Sequence, residues 1–441
     1  MSGMHRDSFG MVGIGFGPSG IGLCAAIADW SEVAGDIPFG PVRFLEKQDN
    51  SAWHGNFLLR GTDLNNHFLR DFVTPRNPRS RFSFANYLSE HGRLFDFCLL
   101  GRPVSRIEWN DYMSWVTSAL AEYVAYKEPV SWVRPIVQAE RIVALEVRTE
   151  SNVYHTRRVV LSTGATTYIP ECFRGLLGER MFHTSEFLPR VNALEPDQPL
   201  RFAVIGSGQS AGEAVVEIYE RFKNARIFSI HRKTGFRLYD LGHFTNLVFS
   251  PGEADYFYNL PHRAKHDALR DVRSTNYSGL DFEGSSKLYS LMYEDRVVGQ
   301  ERIFMLNRRE PTEIIYDGGA FKIKLADTYM EAPSDIDVDV IVLATGYREE
   351  AFPSILEPLR GHVAVDEDGG LVVNRDHSLS FLGAASAEIY LSGLCERTHG
   401  IGEGQTLSSC AIRADRILRA MQRSTQAVVP MREVRDVPVA S

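Results

Sequence analysis

The sequence is poorest in what secreted, membrane-bound and nucleic-acid-binding proteins need most. Only five cysteines, Cys24, Cys98, Cys172, Cys395 and Cys410, are scattered over 441 residues, and no C-x-x-C pair occurs among them. That excludes a disulfide framework and the redox dithiol of a disulfide reductase, and it indicates no zinc site, so no metal is expected. No apolar run approaches the ~20 residues that span a bilayer, and the opening MSGMHRDSFG has no hydrophobic signal core. Cations are outnumbered: 48 Lys and Arg against 56 Asp and Glu leave a net charge of −8, with a pI near 5.9. No extended basic face is available to meet a polyanion. The expectation is a soluble cytoplasmic enzyme acting on small molecules, without nucleic-acid or membrane partners, and too long for one ordinary core.

Glycine, by contrast, is clustered where it carries chemistry. After the strand-like FGMV come Gly13, Gly15, Gly17, Pro18 and Ser19, and then the apolar-faced helix IGLCAAIADW. A strand, glycine turn and helix lets a pyrophosphate approach bare backbone and free helix N–H groups. Counted from Gly13, the turn departs from G-x-G-x-x-G, because Pro18 falls at the third glycine. About thirty residues on, the run PVRFLE ends at Glu46, where a Rossmann unit places an acid on the ribose hydroxyls; the alternative for Glu46 is a solvated strand end. The pattern repeats more cleanly at RFAVIGSGQSA, with Gly206, Gly208, Gln209 and Ser210 and with Ala211 third. The following strand ends at Arg232 and Lys233 instead of an acid, which suits the 2′-phosphate of NADPH. Two apolar runs, 157–165 and 337–347, each end in Thr-Gly, the second at Thr345 and Gly346, as buried parallel strands do at a nucleotide crevice. Together these features read as a two-dinucleotide flavoprotein, with FAD at the first turn and NADPH at the second.

The stretch SAWHGNFLLRGTDLNNHFLRDFVTPRNPRSRFSFANYL, followed by PVSRIEWNDYMSW, then GSGQSA, STNYS and THG, resembles the N-hydroxylating flavin monooxygenases, the ornithine and lysine N-monooxygenases of siderophore biosynthesis. The resemblance spans nearly the whole chain. It implies that NADPH reduces FAD, that the reduced flavin captures O2 as a C4a-hydroperoxide, and that a neutral primary amine attacks it to give a hydroxylamine. It further implies that Trp53, His54 and Asn65 lie near the flavin, Asn65 standing where the family usually has Gln. Asn246 and Asn276 fall at the substrate-contacting asparagines, with Asn276 and Asn65 assigned to catalysis and Ile401 assigned with the substrate. The alternatives are a buried structural Trp53 and loop-capping asparagines.

Two departures bear on the substrate. FLRD replaces FLKD, so Arg70 stands where the family presents a Lys to the substrate carboxylate, and its alternative is a surface ion pair. THGIGEGQTLSS carries two extra residues, among them Glu403, which either reaches a second positive group of the substrate or is solvated.

The expected fold is α/β, with two Rossmann-like dinucleotide-binding domains and a smaller helical substrate-binding region. The expected boundaries are 1–198 and 379–441 for the FAD domain, 199–235 and 303–378 for the NADPH domain, and 236–302 for a helical lid. The tail from Gln422 is expected to be loosely ordered. A homo-oligomer, dimer or tetramer, is implied by the resemblance. Competing readings are a diamine hydroxylase, a non-catalytic nucleotide-binding flavoprotein, and a Baeyer–Villiger or sulfide-type monooxygenase. The last requires a linker whose His183 and Phe187 are present but whose glycine is replaced by Glu179.

Overall fold

The computed structural model describes residues 8–277 and 279–428. Two five-stranded parallel sheets organise it. The first runs Glu388–Leu391, Arg158–Leu161, Met11–Ile14, Val42–Glu46, Val124–Tyr126. The second runs Met181–His183, Val340–Leu343, Arg201–Ile205, Arg226–His231, Ile303–Asn307. In each, the strand that feeds a glycine turn lies in the middle, and a helix follows it: Pro18–Ala34 in the first, Gln209–Arg221 in the second. The apolar runs Met11–Ile14, Arg158–Leu161 and Val340–Leu343 are buried at every residue, as parallel strands covered on both faces require. Counted from its glycine-turn strand, each half also carries an antiparallel meander between the third and fourth strands: Val130–Gln138, Arg141–Thr149 and Val153–Thr156 in the first, Arg309–Asp317, Ala320–Asp327 and Ser334–Val338 in the second.

The chain crosses between the halves twice, and the crossings pair. Thr166–Thr167 forms a two-stranded antiparallel ladder with Tyr347–Arg348, and Tyr168 N–H donates to Gly346 C=O at 2.9 Å.

Packing moves the expected boundaries. Met181–His183 is the edge strand of the second sheet, so the first crossing lies before residue 181 and not at 198. After the second crossing, Leu356, Leu359, Val363, Leu371 and Val373 pack with Val12, Ile14 and Val159 of the first sheet, so the return comes near residue 349 and not at 379. Helix Phe282–Val298 lays Leu288 and Met292 on the second core. The part of the expected helical region outside that core therefore ends before Phe282 and carries helices Pro251–Tyr258 and His262–Asp271.

Helix Cys410–Val428 continues through Gln422–Val428, against the loose tail expected there. Its stripe Ala411, Ala414, Ile417, Leu418, Met421 is buried, and Arg158 Nη2 donates to Ser424 Oγ at 3.1 Å and Thr425 Oγ1 at 2.9 Å. Residues 429–441 lie outside the described residues. No described helix is long and apolar enough to cross a membrane.

Candidate functional site

The two glycine turns superpose in logic once the first is counted from Gly15. Gly13 lies inside its strand, where a Cβ would sit 2.2 Å from the Phe44 ring. Gly15 makes the turn with φ +92, and a Cβ there would lie 2.5 Å from Ser162 O; Gly206 does the same with φ +141 and 2.2 Å from Ala344 O. Gly17 and Gly208 are the helix N-caps, neither capped by a side chain and neither followed by an acid in the first turn. Gly20 is the third fingerprint residue, because a Cβ there would meet Gly15 O at 2.4 Å. Pro18 is the first helical residue, where its missing N–H costs nothing. The departure read from Gly13 therefore vanishes: Gly15, Gly17, Gly20 and Gly206, Gly208, Ala211 are equivalent. Free first-turn amides and open space over Gly17, where nothing lies within 4 Å of an added Cβ, fit a pyrophosphate at the first turn. The uncapped amides beside Gln209 and Ser210 fit one at the second.

The halves differ at the end of the next strand. Glu46 is buried, not solvated, and accepts from Phe16 N–H at 2.7 Å and from Gln48 N–H at 3.0 Å. A carboxylate has lone pairs beyond these two for a ribose hydroxyl. Register gives His231 as its counterpart, since Leu45 pairs beside Ile14 as Ile230 does beside Ile205. A histidine therefore stands where the first half has an acid, and burial lowers its pKa. Arg232 is solvent-exposed and reaches Glu310 at 3.2 Å. Lys233 is pushed down by partial burial and then by Arg237, Arg273 and Arg232, which gather at this edge.

Between the sheets lies an aromatic wall. Trp53 packs against the first core, and its ring meets His54 edge-on at 4.5 Å. His54, held in the left-handed region at φ 50, faces Tyr347 at 6.3 Å, and Tyr347 meets His183 at 5.2 Å. His54 keeps solvent-accessible surface, yet the protein packed around it, followed by Arg106 and His183, lowers its pKa to about 4. Two expected cofactor residues are committed elsewhere. Thr345 Oγ1 donates to Tyr168 O across the crossing, and Gln209 Nε2 donates to Glu213 at 2.8 Å and to Asp281. Gln209 thus belongs to a clamp in which Arg106, from the first half, grips Glu213 with two bonds of 2.7 and 2.8 Å. Gly346 turns at φ +78 with open space around it.

Arg70 and Asn246 line one cavity of about 260 Å³ together with Phe249, Glu403, Ser408 and Ser409. Arg70 has no ion-pair partner among the described residues; its one side-chain bond is Nη1 to Ser408 Oγ at 3.4 Å. Asn246 spends its Nδ2 on Gly242 O at 3.0 Å and Asp240 O at 3.4 Å, leaving Oδ1 to accept from a ligand. Asn66, not singled out by sequence, fixes the cavity edge by donating to Arg70 O at 2.9 Å and accepting from Ser408 Oγ at 3.0 Å.

Glu403 is neither solvated nor free for a second cation: it is buried and accepts from Arg413 Nη1 at 3.0 Å. Arg413 is itself fully buried and donates from Nη2 to Ser19 Oγ at 3.1 Å. One guanidinium therefore links the first glycine-turn helix to the cavity wall, and Ser19 is engaged by it.

Three expected residues stand apart from this cavity. Ile401 is buried behind the wall, because Gly400 and Gly402 press their segment onto Phe257 and Phe249. Asn65 is exposed. Asn276 sits beside Tyr277, whose hydroxyl donates to Glu396 Oε2 at 2.6 Å. Glu396 neighbours Glu349, which burial and the Glu396 charge push up to about 8. Gly404 packs on both carboxylates, where a Cβ would lie 2.9 and 3.0 Å from them.

The profile of the L-lysine 6-monooxygenase/L-ornithine 5-monooxygenase family matches residues 7–349. An L-ornithine N(5)-monooxygenase of Pseudomonas aeruginosa is 32% identical over 98% of this chain and 97% of its own length. The crystal structure of an L-lysine 6-monooxygenase from Pseudomonas syringae shares 41% identity and a TM-score of 0.86, covering 95% of this chain and 100% of that one. An ornithine N-hydroxylase of Kutzneria, solved with reduced FAD, NADP+ and L-ornithine, shares 31% identity and a TM-score of 0.87, covering 94% and 99%. Two dinucleotide turns on like sheets, a cation and an amide oxygen facing one cavity, and full-length relatives of this kind lead to one conclusion: the chain belongs to the L-lysine 6-monooxygenase/L-ornithine 5-monooxygenase family.

Proposed function

We propose that this chain binds FAD at the first glycine turn and NADPH at the second and N-hydroxylates the side-chain amine of an ornithine- or lysine-like amino acid, using O2, in siderophore or other specialised-metabolite biosynthesis. The observation that carries the reading is the cavity in which the unpaired Arg70 guanidinium and the free Asn246 Oδ1 meet while the one carboxylate in the wall, Glu403, is neutralised by Arg413. An amine must be deprotonated to act as a nucleophile; an amide oxygen accepts its N–H without holding it as ammonium, as a free carboxylate does. Arg70 offers a fork for the α-carboxylate at the other end of the substrate. FAD, reduced by NADPH, supplies the activated oxygen when bound. Trp53, His54, Asn65 and Asn276 are assigned to the flavin and substrate on the same reading. A dimer or tetramer belongs to the same proposal.

The test is a panel of ornithine, lysine, diaminobutyrate, arginine, putrescine and cadaverine, with NADPH consumption and hydroxylamine measured together. Stoichiometric hydroxylamine from an amino acid is expected; equal turnover of ornithine and putrescine removes the carboxylate contact from the reading. Arg70→Ala should raise KM for the amino acid by roughly 1.5–3 kcal/mol of lost binding and leave flavin reduction by NADPH unchanged. An unaltered KM excludes Arg70 from the site.

A further inference from the structure

Behind the cavity wall, the fold gathers three ligating side chains that the sequence spaces too widely to suggest a site. Cys395 caps the short helix Glu396–His399, so Cys395 and His399 stand one turn apart on one face. His377 reaches them from the loop 374–378, where its backbone sits in the left-handed region at φ 69, pinned by His377 N–H to Asn374 O at 2.8 Å and by Leu391 N–H to His377 O at 3.0 Å. Exposure is 0% for His377 and 1% each for Cys395 and His399, and their ligating atoms lie within 4.8 Å of one another.

These groups are unspent. Both ring nitrogens of His377 and Nε2 of His399 lack hydrogen-bond partners; the carbonyls of Asn374 and Arg375 approach the His399 ring without completing a bond. His399 Nδ1 meets Thr398 Oγ1 at 2.8 Å, and Cys395 Sγ has only a 3.7 Å approach to Leu391 O. A buried imidazole with neither ring nitrogen bonded, as in His377, is rare in folded proteins and calls for an occupant.

We infer that His377, Cys395 and His399 form a buried site for a thiophilic divalent cation, Zn2+, that fastens loop 374–378 to the segment leading into the substrate cavity. One thiolate and two imidazoles are a borderline-soft donor set suited to zinc with one position left open. Binding releases the single Cys395 thiol proton to solvent and involves no redox change. The rings stack 4.5 Å apart at 17°, so capture requires one imidazole to turn about its Cβ–Cγ bond until all three atoms lie about 2.0–2.3 Å from the ion. The consequence is local: His399 is followed directly by Gly400 to Glu403, and its ring faces Tyr258 of the lid helix at 5.0 Å. The ion stiffens the cavity mouth from behind.

The test uses the full-length holoenzyme, stripped with chelator and titrated with Zn2+ by calorimetry and thermal unfolding, and with Co2+ by absorbance. An exposed group, His262, His266 and Asp368, also gathers metal-ligating atoms, so the measurements are repeated in H262Q/H266Q. Expected are one Zn2+ per chain retained in H262Q/H266Q, a rise in Tm, and a thiolate-to-Co2+ charge-transfer band, with both the rise and the band lost in Cys395→Ser. If that variant does not fold, the band in the unaltered protein and its loss in His377→Gln decide the matter. No binding, binding abolished by H262Q/H266Q, or a Co2+ complex without the thiolate band overturns the inference.

Discussion

The two nucleotide-binding halves share one plan from the glycine-turn strand onward. Counted from that strand, the order of four strands, the central glycine turn and the inserted meander coincide, while the fifth, edge strand comes last in the first half and first in the second; even the steric reason for the turning glycine is shared: Gly15 abuts Ser162 O as Gly206 abuts Ala344 O. Yet the next strand ends at Glu46 in one half and at His231 followed by Arg232 in the other. The lesson is that backbone geometry admits a dinucleotide, whereas a single strand-end side chain tells a ribose hydroxyl from a phosphate.

The comparison breaks most sharply where the halves are joined. Arg106 and Glu213 are 13% and 7% exposed, and burial pushes the Glu213 pKa up while Arg106 pulls it back. Arg106→Ala strands that carboxylate and should cost roughly 3–5 kcal/mol in urea unfolding; a loss well under 1 kcal/mol means the halves are held some other way. Next come the glycines. Gly15→Ala and Gly206→Ala each drive a Cβ into a carbonyl and should cost roughly 1–3 kcal/mol, but with opposite ligand effects: the first should purify depleted of FAD, the second should keep FAD and raise KM for NADPH. The reverse pattern would overturn the assignment of the two turns.

Arg232→Ala sharpens the divergence itself. Its side chain is exposed, so the loss should lie at the low end for a charged bond, about 1.5 kcal/mol, read as a roughly tenfold fall in preference for NADPH over NADH. Unchanged discrimination would move the 2′-phosphate away from Arg232. The smallest effect is on pH dependence. Burial lowers His183 from its ordinary 6.5 to about 4, so the unfolded chain takes up a proton in that interval before the folded one does. The His183 contribution to stability should be level above pH 6.5 and be lost as pH drops toward 4, so the fall over that interval should be shallower in His183→Phe. An identical slope in that variant would absolve His183.

Much of the plan was legible because local patterns encode it. Both turns, their strands and the Thr-Gly ends are contiguous, with glycines and apolar runs whose physical reasons act within a few residues. The register of the first turn was misread because Gly13 precedes the true triplet, and only the clash of a Gly20 Cβ with Gly15 O tells the strand glycine from the turn glycine. The boundaries were misplaced because strand Met181–His183 enters the second sheet ahead of its own glycine-turn strand. Arg70 and Asn246 could be singled out by resemblance and do share a cavity. Arg413 could not, since nothing in CAIRADRIL announces that its first arginine is buried against Glu403 and Ser19. Asn66, Ser408 and Arg106 likewise act through partners far away in sequence. Ile401 does not line the Arg70–Asn246 cavity, because its glycine neighbours seat the segment against Phe257 and Phe249.

Thr166–Thr167 and Tyr347–Arg348 are the places where the chain leaves one half and returns, and they are hydrogen-bonded to each other. Because each crossing supplies the hydrogen-bond partners of the other, neither strand leaves its backbone polar groups unpaired on the way between the halves. The ribbon therefore closes the joint at one place in the chain's path, and the Arg106–Glu213 pair bridges the halves at another.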